Sequence, residues 1–364
     1  MKIVAQIARY VVGAVFIFSG LIKLNDPVGT QIKLEEYFEV FAQDISFLSG
    51  FFHSMVPFAL YLAVFLCVAE VVLGVALLVA YRPKTTNFLL LLIIVFFSFL
   101  TFYSAYFNKV TDCGCFGDAI KLKPWTSFTK DLILLILIVI IIIYQRFTRP
   151  LPTAMIVALA TVGSLGLAFY AITHLSPVDM LPYKVGNSIP DQMKPAEPYQ
   201  FEYIFEKNGK TYRFDKFPGD STYIYKDMVT LNEDKAKPKI TDYRVWNDST
   251  DFTQESFNGK KLILIVKNLK DINTAAFPTI RKLVDGLEGA DIETLVFTSA
   301  ASDEIEDFLR EQQLKVPFYF ADATVLKTIS RSNPGILLMK DGVIKGKWHY
   351  NDTPDAEQVK KLVE

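Results

Sequence analysis

The sequence predicts a membrane α-helical bundle, four helices plus a fifth span, followed by an exported α/β domain. Three observations lead there. The N-terminal half holds five long apolar runs with little charge, each near the ~20 residues a bilayer-spanning helix needs. The C-terminal half has the mixed composition of a soluble protein, and strand-like and helix-like patterns alternate from about Lys260. Between two of the apolar runs lies Asp112-Cys113-Gly114-Cys115-Phe116-Gly117, which carries two of the chain's three cysteines.

The 364 residues suffice for two or three domains. A net charge of −1 with no basic stripe excludes a nucleic-acid partner. Three cysteines do not build a disulfide framework. Cys113 and Cys115 alone are too few for zinc, which takes four ligands, or three and a water. No metal is therefore expected.

The spans read in order as Ile7 to Leu24, Val56 to Ala80, Asn87 to Phe107, Phe128 to Tyr144 and Pro152 to Ile172. The first is short, but no small-residue cleavage site follows it, so it is read as a span rather than a signal peptide. Leu132 to Ile143 is so uniformly apolar that one face should touch lipid. Gly163, Ser164 and Gly166 in the fifth span suit close helix contact. The segment Asn25 to Phe52, with Glu35, Glu36, Phe38, Val40 and Phe41, reads as an amphipathic piece on the membrane interface that caps the bundle or binds something.

Lysine and arginine in short loops set orientation. Lys2 and Arg9, Arg82 and Lys84, and Arg146 and Arg149 fall on one side; Lys33, Lys109, Lys121 and Lys123 fall on the other. The bias puts the N-terminus in the cytoplasm, and an odd number of spans then exports the cysteine loop and the whole tail. A bacterial inner membrane facing an oxidising periplasm fits this reading.

Two intramembrane groups stand out. Glu70 is a carboxylate within the second span, about 15 Å from its inner end at 1.5 Å per residue. Such a group marks a functional site by default, as a proton relay or ligand, or else it is hydrogen-bonded structurally to a tyrosine or serine. Lys23 lies near the outer end of the first helix and is expected at a different depth. Cys67 sits in an apolar run, where free cysteine usually behaves as a small hydrophobe. It lies roughly 16 Å along its helix, while a disulfide requires Cα atoms within about 7 Å. A disulfide between Cys113 and Cys115 closes a small strained ring of the labile, oxidising kind; a glycine-rich turn with inert thiols is the other reading.

Residues Gly13 to Leu24, with Asp26-Pro27 and Gly29, resemble the first helix and loop of DoxX-type membrane proteins. Cys113-Gly114-Cys115-Phe116-Gly117 resembles the loop motif of the related MauE branch. The resemblance covers about the first 145 residues. It implies a four-helix membrane core with a redox association, with Cys113 and Cys115 as the reactive pair. Methylamine metabolism is implied by the family name alone, and no residue here supports it.

The segment 176–197 is rich in proline and reads as a linker between the fifth span, 151–175, and a small β module, 198–257. Phe201 to Phe205 and Thr211 to Phe214 flank Asn208-Gly209, a strong hairpin signal. In 258–364, strands are expected at Lys261–Val266, Ile292–Thr298, Val316–Phe320, Ile336–Met339 and Val343–Trp348. Helices are expected over Thr274–Leu287, from Ser302 as N-cap, over Ala323–Ser330, and from Pro354 at a first turn.

This order resembles a thioredoxin-like domain. The resemblance implies a cis bond at Asn333–Pro334 and a groove around Asn268, Leu269 and Pro334. Where thioredoxins carry their cysteines this chain reads Lys267-Asn268-Leu269-Lys270-Asp271-Ile272-Asn273. No cysteine follows Cys115, so the domain cannot exchange thiols. His349 is expected at the surface.

Two functions follow. One is a redox-associated envelope protein, with the cysteine pair near a quinone or a partner's thiols. The other is a non-enzymatic envelope scaffold, with membrane lipids around its bundle and a protein partner in the retained groove. A transporter or lipid site at Glu70 is a weaker third.

Overall fold

The computed structural model describes residues 2–110, 114, 117, 122–148 and 150–364. Cys113, Cys115, Lys121 and Arg149, all invoked above, lie outside the described residues. The chain divides into two compact units, Met1–Met180 and Leu181–Glu364.

Five helical runs in the first unit are long and apolar enough to span a membrane. They are α1 (Lys2–Asn25), the run Ser46–Leu78 ending in α4 (Ala59–Leu78), α5 (Pro83–Phe107), α6 (Pro124–Ile143) and α7 (Ala154–His174). The first is not short: it runs nearly to the beginning of the chain, because nothing between Lys2 and Ile7 breaks a helix. Leu132, Ile133, Ile136, Val139 and Ile143 are exposed along α6, as a lipid-facing side requires.

Close packing of α1 on α4 comes from glycines. A Cβ on Gly74 would lie 2.8 Å from Ile17 Cγ1 and 2.9 Å from the Gly13 carbonyl oxygen. One on Gly20 would lie 2.6 Å from Val71 Cγ2. Small residues let backbones approach where no side chain fits. In α7 the expectation holds for Ser164 and fails for the glycines: Gly163 and Gly166 face open space, and the buried stripe is Ser164, Ala168 and Ala171.

The segment expected on the interface is instead a packed helix. Asp26 caps α2 (Pro27–Asp44) by accepting from the Gly29 amide at 2.9 Å, and Pro27 begins its first turn. Leu34, Tyr37 and Phe41 are buried, so α2 lies in the bundle against α4 rather than floating on its rim. Because α2 starts one residue after α1, the end of α1 lies inside: Leu24 is 0% and Asn25 9% exposed.

The second unit holds two sheets. Strands β1 (Phe201–Lys207), β2 (Lys210–Phe214) and β3 (Ile224–Thr230) form an antiparallel sheet of order β2-β1-β3. Asn208 and Gly209 turn the first hairpin at φ +53° and +72°, the left-handed geometry that Asn-Gly supplies. The larger sheet contains β4 (Val245–Trp246), β5 (Lys260–Val266), β6 (Glu293–Thr298), β7 (Phe318–Ala321), β8 (Gly335–Lys340) and β9 (Val343–His349), in order β9-β8-β5-β6-β7-β4. Strands β5, β6 and β7 are parallel, and the others join antiparallel.

Both faces of this sheet are covered, which is why β5 reads as a continuous apolar run. One face packs Leu262, Leu264 and Val266 against α10 (Phe277–Gly286), α11 (Ser302–Glu311) and α13 (Ala356–Val363). The other packs Ile263 and Ile265 against α12 (Ala323–Ile329) together with Tyr183, Ile189, Ile240 and Tyr243.

That second layer corrects several expectations. The proline-rich 176–197 is no free linker past Leu181: Tyr183 and Ile189 are core residues, and Ile189 N donates to Gly342 O at 2.8 Å. The separate β module ends near Thr230, because Ile240, Tyr243 and β4 belong to the large sheet and its core. Ala301, not Ser302, flanks the start of α11, and Asp355 caps α13, leaving Pro354 ahead of the helix. His349 is 4% exposed rather than at the surface, since β9 turns it inward, where Nδ1 accepts from the Asn351 amide at 3.1 Å. The Asn333–Pro334 bond is cis, as the thioredoxin-like resemblance implied.

Candidate functional site

A buried pair of opposite charges lies inside the membrane unit. Lys23 Nζ donates to Glu70 Oε1 at 2.5 Å, with side chains 6% and 3% exposed. The expectation of different depths is wrong. Depth was measured from the ends of two isolated helices, whereas the end of α1 is sunk beneath α2 and the α1–α4 approach is close. The ammonium also lies 4.3 Å from the Phe97 ring centroid, a cation–π contact from α5. A buried ion pair needs such extra partners to offset the desolvation of two charges.

Beside this pair is a cavity of about 30 Å³, room for about two water molecules. Its walls include Lys23, Thr30, Lys33, Cys67, Thr101 and Gly114. Cys67 Sγ lies 3.9 Å from Thr30 Oγ1. Cys67 and Gly114 share this one small cavity, so counting residues along α4 overstates the separation of Cys67 from the loop. Gly114 is the residue between Cys113 and Cys115.

The described part of the loop is held where it leaves α5 and again at Gly114. Asn108 caps α5 at φ +52° and Val110 is fully buried, its carbonyl accepting from Ser104 Oγ. Lys109 and Tyr103 both donate to Asp44 at the end of α2. The Lys109 ammonium, with the Tyr103 hydroxyl, holds the Asp44 carboxyl below the usual carboxylate range. Gly114 takes φ +62°, and Gly117 N donates back to Gly114 O at 3.0 Å. A Cβ on Gly114 would lie 3.2 Å from Lys33 Cγ. Glycine is thus required there both for its backbone angle and for the lysine stem against it.

A second intramembrane carboxylate escaped the sequence reading. Asp131 of α6 is 1% exposed and accepts from Thr101 Oγ1 at 3.0 Å and Lys130 Nζ at 2.6 Å. The rule that singled out Glu70 applies equally to Asp131. Asp131 lay within the span drawn from Phe128, and reading only its Leu/Ile run, which begins at Leu132, hid it.

In the second unit, the segment after β5 is closed onto Asn333. Lys267 N donates to Asn333 Oδ1 at 3.0 Å, Asn333 Nδ2 donates to Asn268 O at 2.9 Å, and Asn273 N donates to Asn333 O at 3.0 Å. Asn268 therefore sits beside the Asn333–Pro334 turn as expected. Pro334 itself is buried, and Leu269 is half-buried against the core. Lys267 Nζ donates to Arg331 O at 2.8 Å. Among the described residues no group of three or more His, Cys, Asp or Glu side chains could hold a metal.

These features define a multi-pass helical membrane protein with a buried ion pair, joined to a mixed α/β domain. Residues 1–144 match the family model described as methylamine utilisation protein MauE, and in this N-terminal part the chain is similar to that membrane-protein family. None of the curated proteins matches the chain. Among solved structures, the mitochondrial 2-Cys peroxiredoxin from Plasmodium falciparum is 11% identical, with 47% of this chain and 90% of that chain covered and a TM-score of 0.23.

Proposed function

We propose that this protein is a thiol–disulfide component of a bacterial inner membrane, with Cys113 and Cys115 as the exchanging pair and the C-terminal domain as a partner-binding module without thiols. The observation that supports this most is the position of Gly114. The glycine between the two cysteines lines a small cavity whose walls also include Lys23, Lys33 and Cys67. Polar groups are rare inside a bundle, and such a cavity gives protons released near the loop a place to go.

The exchange balances without a cofactor. A partner thiolate attacks one sulfur of an oxidised Cys113–Cys115 pair, and the bond between the two loop sulfurs breaks. A mixed disulfide forms while the other loop sulfur leaves as thiolate. The partner's second thiolate then displaces the loop sulfur. The partner ends as a disulfide, the loop as a dithiol, and two electrons have passed. A quinone is a candidate to reoxidise the loop.

The Cys115→Ser variant should trap Cys113 in a mixed disulfide that appears on a non-reducing gel and vanishes on reduction. Labelling intact cells with a membrane-impermeant thiol reagent, before and after mild reductant, should show the pair changing state. If both thiols stay reduced throughout and the double serine variant behaves as wild type, the reading fails. A scaffold function then stands. The closure of the Lys267–Asn273 segment onto Asn333 favours that second reading, because it replaces a reactive loop by a fixed surface. Leu269→Asp should then weaken capture of an envelope partner without unfolding the domain.

A further inference from the structure

We propose that the membrane bundle binds an anionic phospholipid at the end that carries Arg9. The phosphate sits on the Arg9 guanidinium, and a headgroup hydroxyl donates to the Asn87 amide oxygen. The inference stands apart from the thiol–disulfide reading and uses no residue of the cysteine loop.

The site is a crevice between four helices. A cavity of about 10 Å³ is lined by Arg9 of α1, Leu77 of α4, Thr86 and Asn87 of α5, Ile141 of α6 and Thr148 beyond it. That volume admits about one water-sized group. Two of these residues have a buried polar atom without a hydrogen-bond partner: Arg9 Nε, a donor, and Asn87 Oδ1, an acceptor. Asn87 is 2% exposed, and its Nδ2 makes only a long bond of 3.5 Å to Gln145 Oε1. The Thr86 hydroxyl is already committed, donating to Tyr81 O at 2.7 Å. A buried polar group left unmet is costly. A ligand that brings an acceptor to Arg9 and a donor to Asn87 therefore gains at both.

The charge of this end selects the acceptor. The stretches 1–10, 79–87 and 144–153 hold six lysines and arginines and no aspartate or glutamate. All three stretches contribute to the cavity, through Arg9, through Thr86 and Asn87, and through Thr148. Nothing acidic in them neutralises Arg9 or takes the ammonium of a zwitterionic lipid. A phosphodiester does the first, and a basic pocket between membrane helices suits such a headgroup. Guanidinium matches phosphate oxygens with paired N–H donors. The hydroxyl of a glycerol headgroup then meets the Asn87 acceptor, which assigns the phosphatidylglycerol class.

The surroundings favour a lipid over a free anion. The Arg9 guanidinium carbon lies 5.3 Å from the Tyr10 ring centroid. Tyr10 is exposed, as are Ile7 and Val11, three residues before it and one after it on the outer side of α1. Arg9 thus lies where the crevice meets an apolar helix surface, and an acyl chain packs on that surface.

The test uses the full chain in detergent. Native mass spectrometry counts the lipids retained when phosphatidylglycerol and phosphatidylcholine compete at equal concentration. The protein should keep one phosphatidylglycerol, and Arg9→Gln should weaken its binding at least about tenfold. Lys84→Gln, at the exposed start of α5, should leave it unmoved. Wild type should prefer phosphatidylglycerol to phosphatidylmethanol, an anionic diester without a hydroxyl, and Asn87→Leu should erase that preference. Should Arg9→Gln not fold, the wild-type melting temperature decides. Phosphatidylglycerol should raise it, and phosphatidylcholine or excess inorganic phosphate should not. Equal retention of phosphatidylglycerol and phosphatidylcholine, an equal loss in Lys84→Gln, or an equal rise with inorganic phosphate overturns the proposal. An Asn87→Leu chain that keeps the preference overturns the part given to the hydroxyl.

Discussion

Lys23 and Glu70 form an ion pair inside the membrane bundle, ammonium to carboxylate oxygen 2.5 Å. They are 47 residues apart, one on α1 and one on α4, and the glycines of those helices bring them together. Removing one partner leaves the other charge buried without compensation, which costs about 3–5 kcal/mol. Lys23→Met or Glu70→Leu alone should sharply lower the thermal unfolding temperature in detergent. The double variant should recover most of the loss. Single variants that melt with the wild type would show that the pair carries no structural weight.

Starting a soluble fragment at Leu181 should give a cooperatively folding domain, and starting at Pro198 should not do as well. The difference is Tyr183 and Ile189, both fully or nearly fully buried against the large sheet. Losing a large buried side chain costs about 2–5 kcal/mol, and the shorter fragment loses two. Urea unfolding of the two fragments compares them directly; equal midpoints would contradict the assignment of these residues to the core.

Acid should weaken the three-stranded sheet. Asp220 accepts from Lys207 at 2.8 Å and from Thr222, and these donors hold its carboxyl well below the ordinary 3.8. A depressed folded pKa means stability that is present above the unfolded value and lost as pH falls below it. The Leu181 fragment should therefore keep a constant stability from pH 8 to 5 and lose some of it below about pH 4. Asp220→Asn should flatten that part of the curve. An unchanged acid limb in the variant would assign the loss to other carboxylates, such as Asp251, which Thr253 and Arg244 likewise hold low.

Topology is open to a direct measurement. With Arg9, Arg82, Lys84 and Arg146 on one side of the five spans, alkaline phosphatase fused after Glu364 should be active and fused after Arg82 inactive. The reverse pattern would turn the protein over and place the loop in a reducing compartment, where a disulfide role fails.

Much of the architecture is local and was readable. An apolar run of the right length is a span whatever surrounds it, so all five were found, with ends displaced by a few residues. Asn208-Gly209 gave its hairpin because the left-handed angles are a property of those residues. The alternation of strands and helices after Lys260 followed from periodicity and caps, and the α/β class from their order. What failed was non-local. A proline-rich segment looks like a linker until a sheet face is there to bury Tyr183 and Ile189. Gly163 and Gly166 look like contact glycines until the neighbouring helix turns out to lie against Ser164 and Ala168.

The candidate site divides in the same way. The sequence by itself determined that a carboxylate, a lysine and a Cys-Gly-Cys loop belong to the membrane half, since charge and thiol are conspicuous against apolar neighbours. It also determined that the C-terminal domain lacks the thiols its fold order leads one to expect. Only the tertiary structure decided that Lys23 meets Glu70, that Asp131 shares the same interior through Thr101, and that Lys33 lies against Gly114. Those relationships depend on how deep each helix sits and which face it turns inward. Depth and rotation are set by packing between segments far apart in the chain, where glycines permit approach and α2 closes over α1.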